Sequence, residues 1–317
     1  MGYFEFFLTA DFWFSILRIA TPVVFATLAA NIAWQCGVFN IGIEGTMLAC
    51  GLTGVLVSAF VGGNTVVGLI AGMFAGMFMG MIFGWLLGLF ALRLKAHIII
   101  SGLALNLLGS GGTVFAMWTI LGERGVSSRV ISAVFPSVNL PVFSWIPGVG
   151  QFLNDVLLGH NILTYVAILF AIGMWVLLYK TPLGLKIRAV GENREAAESV
   201  GIKVGRIQFF ALTISGLMAS FAGMVLSMGI LSLFNAGQAA GRGMLAIATN
   251  AMAGSNPILG FFASLIFGFF GAIDNFFATV SQRFAFVFRA SPFIMIIILY
   301  AIYSFVQKKK NKEEFEF

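Results

Sequence analysis

The chain has 317 residues, of which 60% are hydrophobic and 9% are charged. A soluble domain carries roughly 25% charged residues, so this composition excludes a protein whose whole surface faces water. The formal net charge is +6, yet six of the 18 Lys and Arg residues lie in 180–206 and four in 308–312. Clusters beside apolar spans are typical of the positive-inside bias and do not indicate a nucleic-acid partner.

Long apolar runs predict an all-α polytopic membrane protein. One span needs roughly 20 apolar residues, so the chain holds about eight to ten transmembrane helices, some of them broken or short. The segment 243–254 is too short to cross alone, and we expect a half-helix or a re-entrant piece there. In chain order, we predict spans at 12–33, 46–63, 66–92, 98–121, 161–179, 207–230, 243–254, 256–280 and 292–306.

The spans form a single transmembrane domain over 1–317, with three longer stretches outside the membrane. The cation-rich loop 180–206 and the tail 307–317 are predicted to be cytoplasmic, which places the connection 122–160 outside. We count three complete spans between that loop and the tail. Counting back from Arg93 and Lys95, which also belong inside, puts the N-terminus outside unless 12–63 contains a further broken crossing.

Glycine recurs at every fourth residue of one predicted span. On a helix, this spacing forms a ridge without side chains, against which another helix packs closely. The partner is either a helix of the same chain, which we expect, or a helix of a second subunit. The ridge consists of Gly72, Gly76, Gly80, Gly84 and Gly88.

Polar residues interrupt the apolar pattern, most clearly at 31–45, which also holds three glycines. Polar groups at membrane depth line a cavity or end a helix, and broken helices expose backbone groups at transporter substrate sites. The simpler alternatives are a polar turn between spans and, for the amides, hydrogen bonds between helices. Our candidates for the translocation path are Asn31, Trp34, Asn40, Glu44, Asn106, Asn235 and Asn250.

The loop 180–206 carries the signals of a short helix. Pro182 stops the preceding span, Asn193 suits an N-cap, and Gly201 ends an Ala-rich stretch whose first turn holds Glu195. A small apolar face flanked by charge fits a groove in a partner protein. A solvated connector is the alternative.

Four stretches of the chain resemble a known family. The loop reads GLKIRAVGEN at 184–193, and the stretches NIGIEG, SGLALN and GRGMLAIA begin at residues 40, 101 and 241. Taken in chain order, the four stretches resemble those of ABC importer permeases of the branched-chain amino acid and simple-sugar superfamily. The loop is most similar to the coupling segment of nucleoside uptake permeases, which work with a binding lipoprotein of the basic membrane protein type. Arg194 departs from the usual proline, and Asn250 stands in a stretch that is normally apolar.

The resemblance implies a transport subunit, not an enzyme, in a bacterial inner membrane. ATP hydrolysis in a separate ATPase subunit, which would bind ATP and Mg, would drive alternating access through the coupling helix. A second, related permease and an external substrate-binding lipoprotein complete the expected assembly, with no cofactor or metal in this chain. The residues that the resemblance assigns to coupling are Arg188, Gly191, Glu192, Asn193, Ala196, Ala197 and Gly201.

Three other functions are alternatives to a nucleoside permease. A simple-sugar permease of the same class is the nearest alternative. A secondary transporter would place carboxylates along an ion route, for which the spans offer Glu44 and Asp274. An intramembrane enzyme would need a catalytic group, and neither His97 nor His160 has a catalytic neighbour in sequence. The sequence contains no GxxxxGK[ST] phosphate loop, so ATP binding by that route requires another chain.

Overall fold

The computed structural model describes residues 9–139 and 150–280, together with Ile294 and Ile298. The described chain is helical, and the predicted all-α polytopic fold is confirmed. Its helices are α1 Ala10–Gln35, α2 Ile43–Val61, α3 Val66–Gly88, α4 Ile98–Leu121, α5 Gly150–Leu157, α6 Ile162–Lys180, α7 Pro182–Glu192, α8 Arg194–Ser199, α9 Val204–Met224, α10 Arg242–Met252 and α11 Pro257–Val280. Short π-helical turns extend α3 over Leu89–Arg93 and α9 over Val225–Leu231.

Seven of the described helices are long and apolar enough to cross a membrane: α1, α2, α3, α4, α6, α9 and α11. They agree with seven predicted spans, and α10 falls on the segment predicted to be a short piece. The predicted span 292–306 and the tail 307–317 lie outside the described residues, apart from Ile294 and Ile298.

The core of the bundle is built on α1, α2 and α9. Within the apolar 18-residue stretch of each helix, 83% of the residues of α1 and 72% of those of α2 and α9 are buried. The corresponding share is 28% for α3 and for α4. Small residues such as Ala26, Ala29 and Ala33 let neighbouring helices pack closely around α1. The outer helices α3, α4, α6 and α11 leave apolar faces for lipid or for other subunits.

The glycine ridge of α3 packs on helices of the same chain, as we expected. A Cβ on Gly72 would come within 2.9 Å of Ser58 in α2, and one on Gly84 would overlap the carbonyl oxygen of Leu212 in α9. The approach is mutual, since a Cβ on Gly216 of α9 would overlap the carbonyl oxygen of Gly80. The ridge therefore joins α3 to the core and does not form a seam between subunits.

The two ends of the bundle can be assigned from contacts. We call the end that carries 180–206 the cytoplasmic end, following the cation asymmetry. There, Gly37 lies against Gly191, with 3.2 Å from an ideal Cβ to the Gly191 Cα. At the opposite, outer end, Ala10 lines a cleft with Asn139 and Asp155 of the external connection. Helix α1 thus starts at the outer end, and 12–63 holds no extra crossing.

A loop and a half-helix make one further crossing. The loop 232–241 starts at the outer end, where Ala236 N–H donates to the Gly125 carbonyl at 2.7 Å. Helix α10 continues toward the cytoplasmic end, where Gln35 Nε2 donates to the Ser255 carbonyl at 2.6 Å. Our count of three spans between loop and tail was wrong, because it left out this crossing. With the predicted span 292–306, the four crossings put loop and tail on the same side.

The described part of the external connection is tied to the outer ends of α2 and α9. Ser127 and Phe135 donate backbone hydrogen bonds to the carbonyls of Phe234 and Met228, and Ala133 N–H donates to Ser58 Oγ at 3.0 Å. His160 stacks on Phe14 with ring centroids 3.9 Å apart. Burial lowers the pKa of His160, so the neutral ring is favoured as a packing element.

The ridge yields a stability prediction. Gly84→Ala places a methyl group against the Leu212 carbonyl, and overpacking of this kind costs about 1–3 kcal/mol. The matched control is Gly173→Ala in α6, where a Cβ would meet no atom within 4 Å. Both changes raise helix propensity equally, so thermal unfolding in detergent should show a lower Tm for Gly84→Ala than for the control. Equal Tm values would contradict the close-packed ridge.

Candidate functional site

Two helix N-termini meet inside the bundle. Helix α2 starts at membrane depth, because Gly45 lies against Asn106 and Gly109 in the middle turns of α4. Gly241, the N-cap of α10 with φ 80°, donates its backbone N–H to Glu44 Oε1 at 2.8 Å. A carboxylate is favoured at a helix N-terminus, where the dipole is positive. Such half-helix ends form substrate sites in transporters. We call the meeting point of the two helix starts, at Glu44 and Gly241, the junction.

Asn106 holds the start of α2 in place. Its Nδ2 donates to the Ile41 carbonyl at 2.8 Å, and its Oδ1 accepts from Gly45 N–H at 2.8 Å. The one side chain therefore satisfies a carbonyl of the extended segment and an N–H of the first helical turn. Both groups would otherwise be unpaired in apolar surroundings, at a cost of several kcal/mol each.

Three other predicted amides also bond between elements. Asn40 Nδ2 donates to Ser215 Oγ at 2.8 Å, and Asn31 Nδ2 donates to Asn250 Oδ1 at 3.0 Å. Asn250 in turn donates to Ser255 Oγ at 3.3 Å. In this conformation all three are buried and act as links between helices, which is the simpler alternative considered for them. Their role in the path stays a prediction.

The structure does not bring all seven path candidates together. Glu44, Asn40 and Asn106 surround the start of α2, and the Asn31–Asn250 pair lies closer to the cytoplasmic end. Asn235 is exposed at the outer end. Trp34 is 40% exposed near the cytoplasmic end, where it meets the Phe39 ring edge-on at 4.6 Å between centroids. The set extends across the bundle instead of forming one pocket, and its use as a route for substrate stays a prediction.

Two polar residues near the junction were not predicted from the sequence: Gln238 in the loop 232–241 and Arg242 at the start of α10. Arg242 Nη1 donates to the carbonyls of Gln238 and Ala239 at 2.9 and 3.3 Å, which stabilises the turn into α10. Gln238 Nε2 is buried and has no partner within the described residues. The Arg242 signal was present in the stretch GRGMLAIA, whereas Gln238 lies in an irregular loop whose depth no periodicity reveals.

Beside the junction, α4 leaves one face uncovered. Its other face packs on α2 through Leu105 and Gly109, and on the segment before α2 through Gly102. On the uncovered face Leu107 is 74% exposed, and Gly111 has open space around it. A helix with one uncovered apolar face beside a polar junction is available to line a path or to meet another subunit.

In the loop 180–206, the predicted short helix and its caps are present. Asn193 Oδ1 accepts from Ala196 N–H at 2.9 Å at the start of α8. Gly201 follows the helix with φ 84°, a left-handed conformation that favours glycine. Arg194 and Glu198 pair along the helix at 3.4 Å.

Three of the residues assigned to coupling attach the loop to the bundle. Arg188 Nε donates to the Leu178 carbonyl at 3.1 Å, and its guanidinium lies 4.8 Å from the Tyr179 ring centroid. A Cβ on Gly191 would overlap the Gln35 carbonyl oxygen. Ala197 is 3% exposed, so it packs inward and does not form one outward surface with Ala196.

The outward side of the loop is exposed in the part of the chain that the structure describes. Glu192 and Ala196 are exposed, and the neighbouring apolar side chains Leu185 and Val200 are 62% and 75% exposed. Apolar side chains exposed among charges at a membrane protein's polar end are typical of a contact surface.

Comparisons with known proteins agree with this architecture. The family model described as "Branched-chain amino acid transport system / permease component" matches residues 12–306. The guanosine ABC transporter permease protein NupQ of Bacillus subtilis is 32% identical, over 80% of this chain and 78% of that protein. The nucleoside ABC transporter permease protein NupC of Lactococcus lactis is 26% identical, over 91% and 90%. The putative glucose ABC transporter permease protein TsgC13 of Haloferax volcanii is 32% identical, over 81% and 75%.

Three observations agree: the family match covers nearly the whole chain, several helices are long enough to span a membrane, and the similar proteins are permeases. The chain is therefore a multi-pass membrane transport component that belongs to the family of branched-chain amino acid transport system permeases.

Proposed function

We propose that this chain is the permease subunit of an ATP-driven importer for nucleosides in a bacterial inner membrane. The observation that carries the proposal is the similarity to NupQ and NupC, which are named guanosine and nucleoside permeases, over 80% and 91% of the chain. A simple-sugar importer is the second candidate, since TsgC13 is named a putative glucose permease.

The chemistry of the route supports a nucleoside. A nucleoside presents hydroxyl groups and base edges that need hydrogen-bond partners, and a flat apolar base that stacks on aromatic rings. Along the route, Gln238 Nε2 and Asn31 Oδ1 are a buried donor and a buried acceptor without partners in the described residues. Trp34 and Phe39 are exposed aromatic rings.

The proposal assigns energy supply and delivery to other chains. A separate ATPase binds ATP and Mg and docks on the outward side of the loop 180–206. A second, related permease faces the uncovered side of α4, so that the path runs between the two junctions. An external binding lipoprotein delivers substrate at the connection 122–160, whose described part is held firmly against α2 and α9.

The contacts suggest how movement of the loop reaches the junction. Gly191 touches the end of α1 at Gln35, so a displacement of α7 is passed directly to the most buried helix. The Asn31–Asn250 hydrogen bond then links α1 to α10, and α10 begins at the bond to Glu44. A shift of α1 thus reaches both helix N-termini and alternates the access to the space between them.

The proposed substrate class predicts the outcome of competition experiments. In vesicles that contain the permease with its ATPase, second permease and binding protein, unlabelled nucleosides should abolish uptake of labelled guanosine, and glucose or ribose should not. Competition by sugars but not by nucleosides would favour the second candidate. Uptake by vesicles that hold this chain alone would instead indicate a secondary transporter.

The proposed docking predicts different effects for two adjacent alanines. Ala196→Trp places a large ring on the outward side of α8 and should abolish transport and substrate-stimulated ATP hydrolysis with an unchanged Tm. The matched variant Ala197→Trp overpacks a buried site and should lower the Tm, with a cost of about 1–3 kcal/mol. Normal uptake by Ala196→Trp would contradict ATPase docking on this helix.

The Asn31–Asn250 pair allows packing and path roles to be separated. Asn250→Leu leaves the buried Asn31 amide without its hydrogen-bond acceptor, which should lower the free energy of unfolding by about 1–3 kcal/mol. The double variant Asn31→Leu/Asn250→Leu removes both partners, which can be nearly neutral, so its Tm should recover. If the pair lines the path, the recovered double variant should still change which nucleosides compete best for uptake. An unchanged competition series would assign the pair to packing alone.

A further inference from the structure

A cleft of about 850 Å³ opens at the cytoplasmic end, between the π-helical end of α3 and the start of α9. Its walls are largely apolar. Trp85 and Phe209 meet edge-on at 6.0 Å between ring centroids. The apolar side chains that line the cleft are Trp85, Leu89, Leu92, Ile202, Val204, Phe209 and Phe210.

Three cations also line this cleft: Arg93, Lys203 and Arg206. Within the part of the chain that the structure describes, none of their side chains makes an ion pair or a hydrogen bond. The acidic residue of the lining, Glu198, is already paired with Arg194 at 3.4 Å. The cleft therefore carries a positive charge that nothing in the described chain neutralises.

The cleft continues an apolar face that runs along α3 through the membrane. This face lies opposite the glycine ridge and includes Ile70, Phe74, Phe78 and Trp85, which are 48%, 59%, 62% and 46% exposed. At its cytoplasmic end, a π-helical turn closed by a 3.0 Å bond from Leu94 N–H to the Leu89 carbonyl holds Arg93. Functional sites are frequent at such turns.

We propose that this cleft binds an anionic phospholipid of the cytoplasmic leaflet. The headgroup phosphate lies among Arg93, Lys203 and Arg206, and an acyl chain follows Trp85 and Leu89 along α3. Basic pockets between helices on the cytoplasmic side suit such headgroups. A free phosphate ion would leave the apolar walls in contact with water, and a zwitterionic lipid would leave the net charge unbalanced.

The occupant would also touch the loop 180–206. Ile202 and Glu198 form one edge of the cleft, so a bound lipid lies beside α8 without covering its outward side. Lipid binding itself does not depend on the proposed transport function, because it can be measured on the chain alone.

Native mass spectrometry of the full chain tests the proposal, with phosphatidylglycerol and phosphatidylcholine of the same acyl chains. Wild-type protein should retain phosphatidylglycerol preferentially. Lys203→Gln/Arg206→Gln should weaken its binding by roughly 25-fold, at about fivefold for each cation. The control, Lys180→Gln/Lys186→Gln, removes the same charge at the same end without touching the cleft and should bind as wild type.

Four results would overturn the assignment. An equal loss in the control variant would indicate general surface charge, and equal retention of both lipids would remove the headgroup requirement. Displacement of the lipid by inorganic phosphate alone would indicate a small-anion site. Matching Tm values for wild type and both double variants exclude misfolding as the cause of any loss. If the ATPase displaces the lipid on forming the complex, a protein surface occupies the cleft instead.

Discussion

The structure depends on one constraint: backbone groups that leave a helix inside the membrane must find partners within the protein. In the described chain, two non-helical breaks run from an end of the bundle to membrane depth, 36–42 from the cytoplasmic end and 232–241 from the outer end. Asn106 satisfies the first break from α4, and Glu44 caps the helix after the second. The two breaks end at neighbouring helix N-termini, so the space beside them combines helix dipoles, an amide and a carboxylate. An unbroken bundle has no helix N-terminus at that depth.

Close helix packing makes this arrangement possible. The Asn106 side chain can reach two backbone groups because Gly45 and Gly109 let α2 and α4 touch. On the other side, the ridge of α3 locks α2 and α9 together, while the outer helices remain largely uncovered. The chain is thus close-packed around its centre and apolar on its outside, which suits the proposed subunit that shares a path with a second permease and contacts lipid elsewhere.

Much of this architecture could be predicted from the sequence. Apolar length located the spans, glycine spacing located the ridge, and the residue types at Asn193 and Gly201 located α8, because each signal acts over a few neighbouring residues. The direction in which Ala197 points and the pairing of Asn31 with Asn250 could not be predicted, since both depend on which helices become neighbours. The crossing at 232–252 was also missed as a crossing, because half of it is irregular and has no hydrophobic period.

That crossing has a consequence for biosynthesis. Its loop and short helix contain Asn235, Gln238, Arg242 and Asn250, so it has too little hydrophobicity to enter the bilayer as an independent span. The groups that stabilise it inside, Asn31 and Glu44, belong to helices α1 and α2, which leave the ribosome before it. The segment therefore enters the membrane against a protein surface that is already assembled. Substitution of Asn31 or Glu44 would therefore impair the insertion of a segment roughly 200 residues downstream. The resulting change in topology would arise during biosynthesis, before the transporter could carry any substrate.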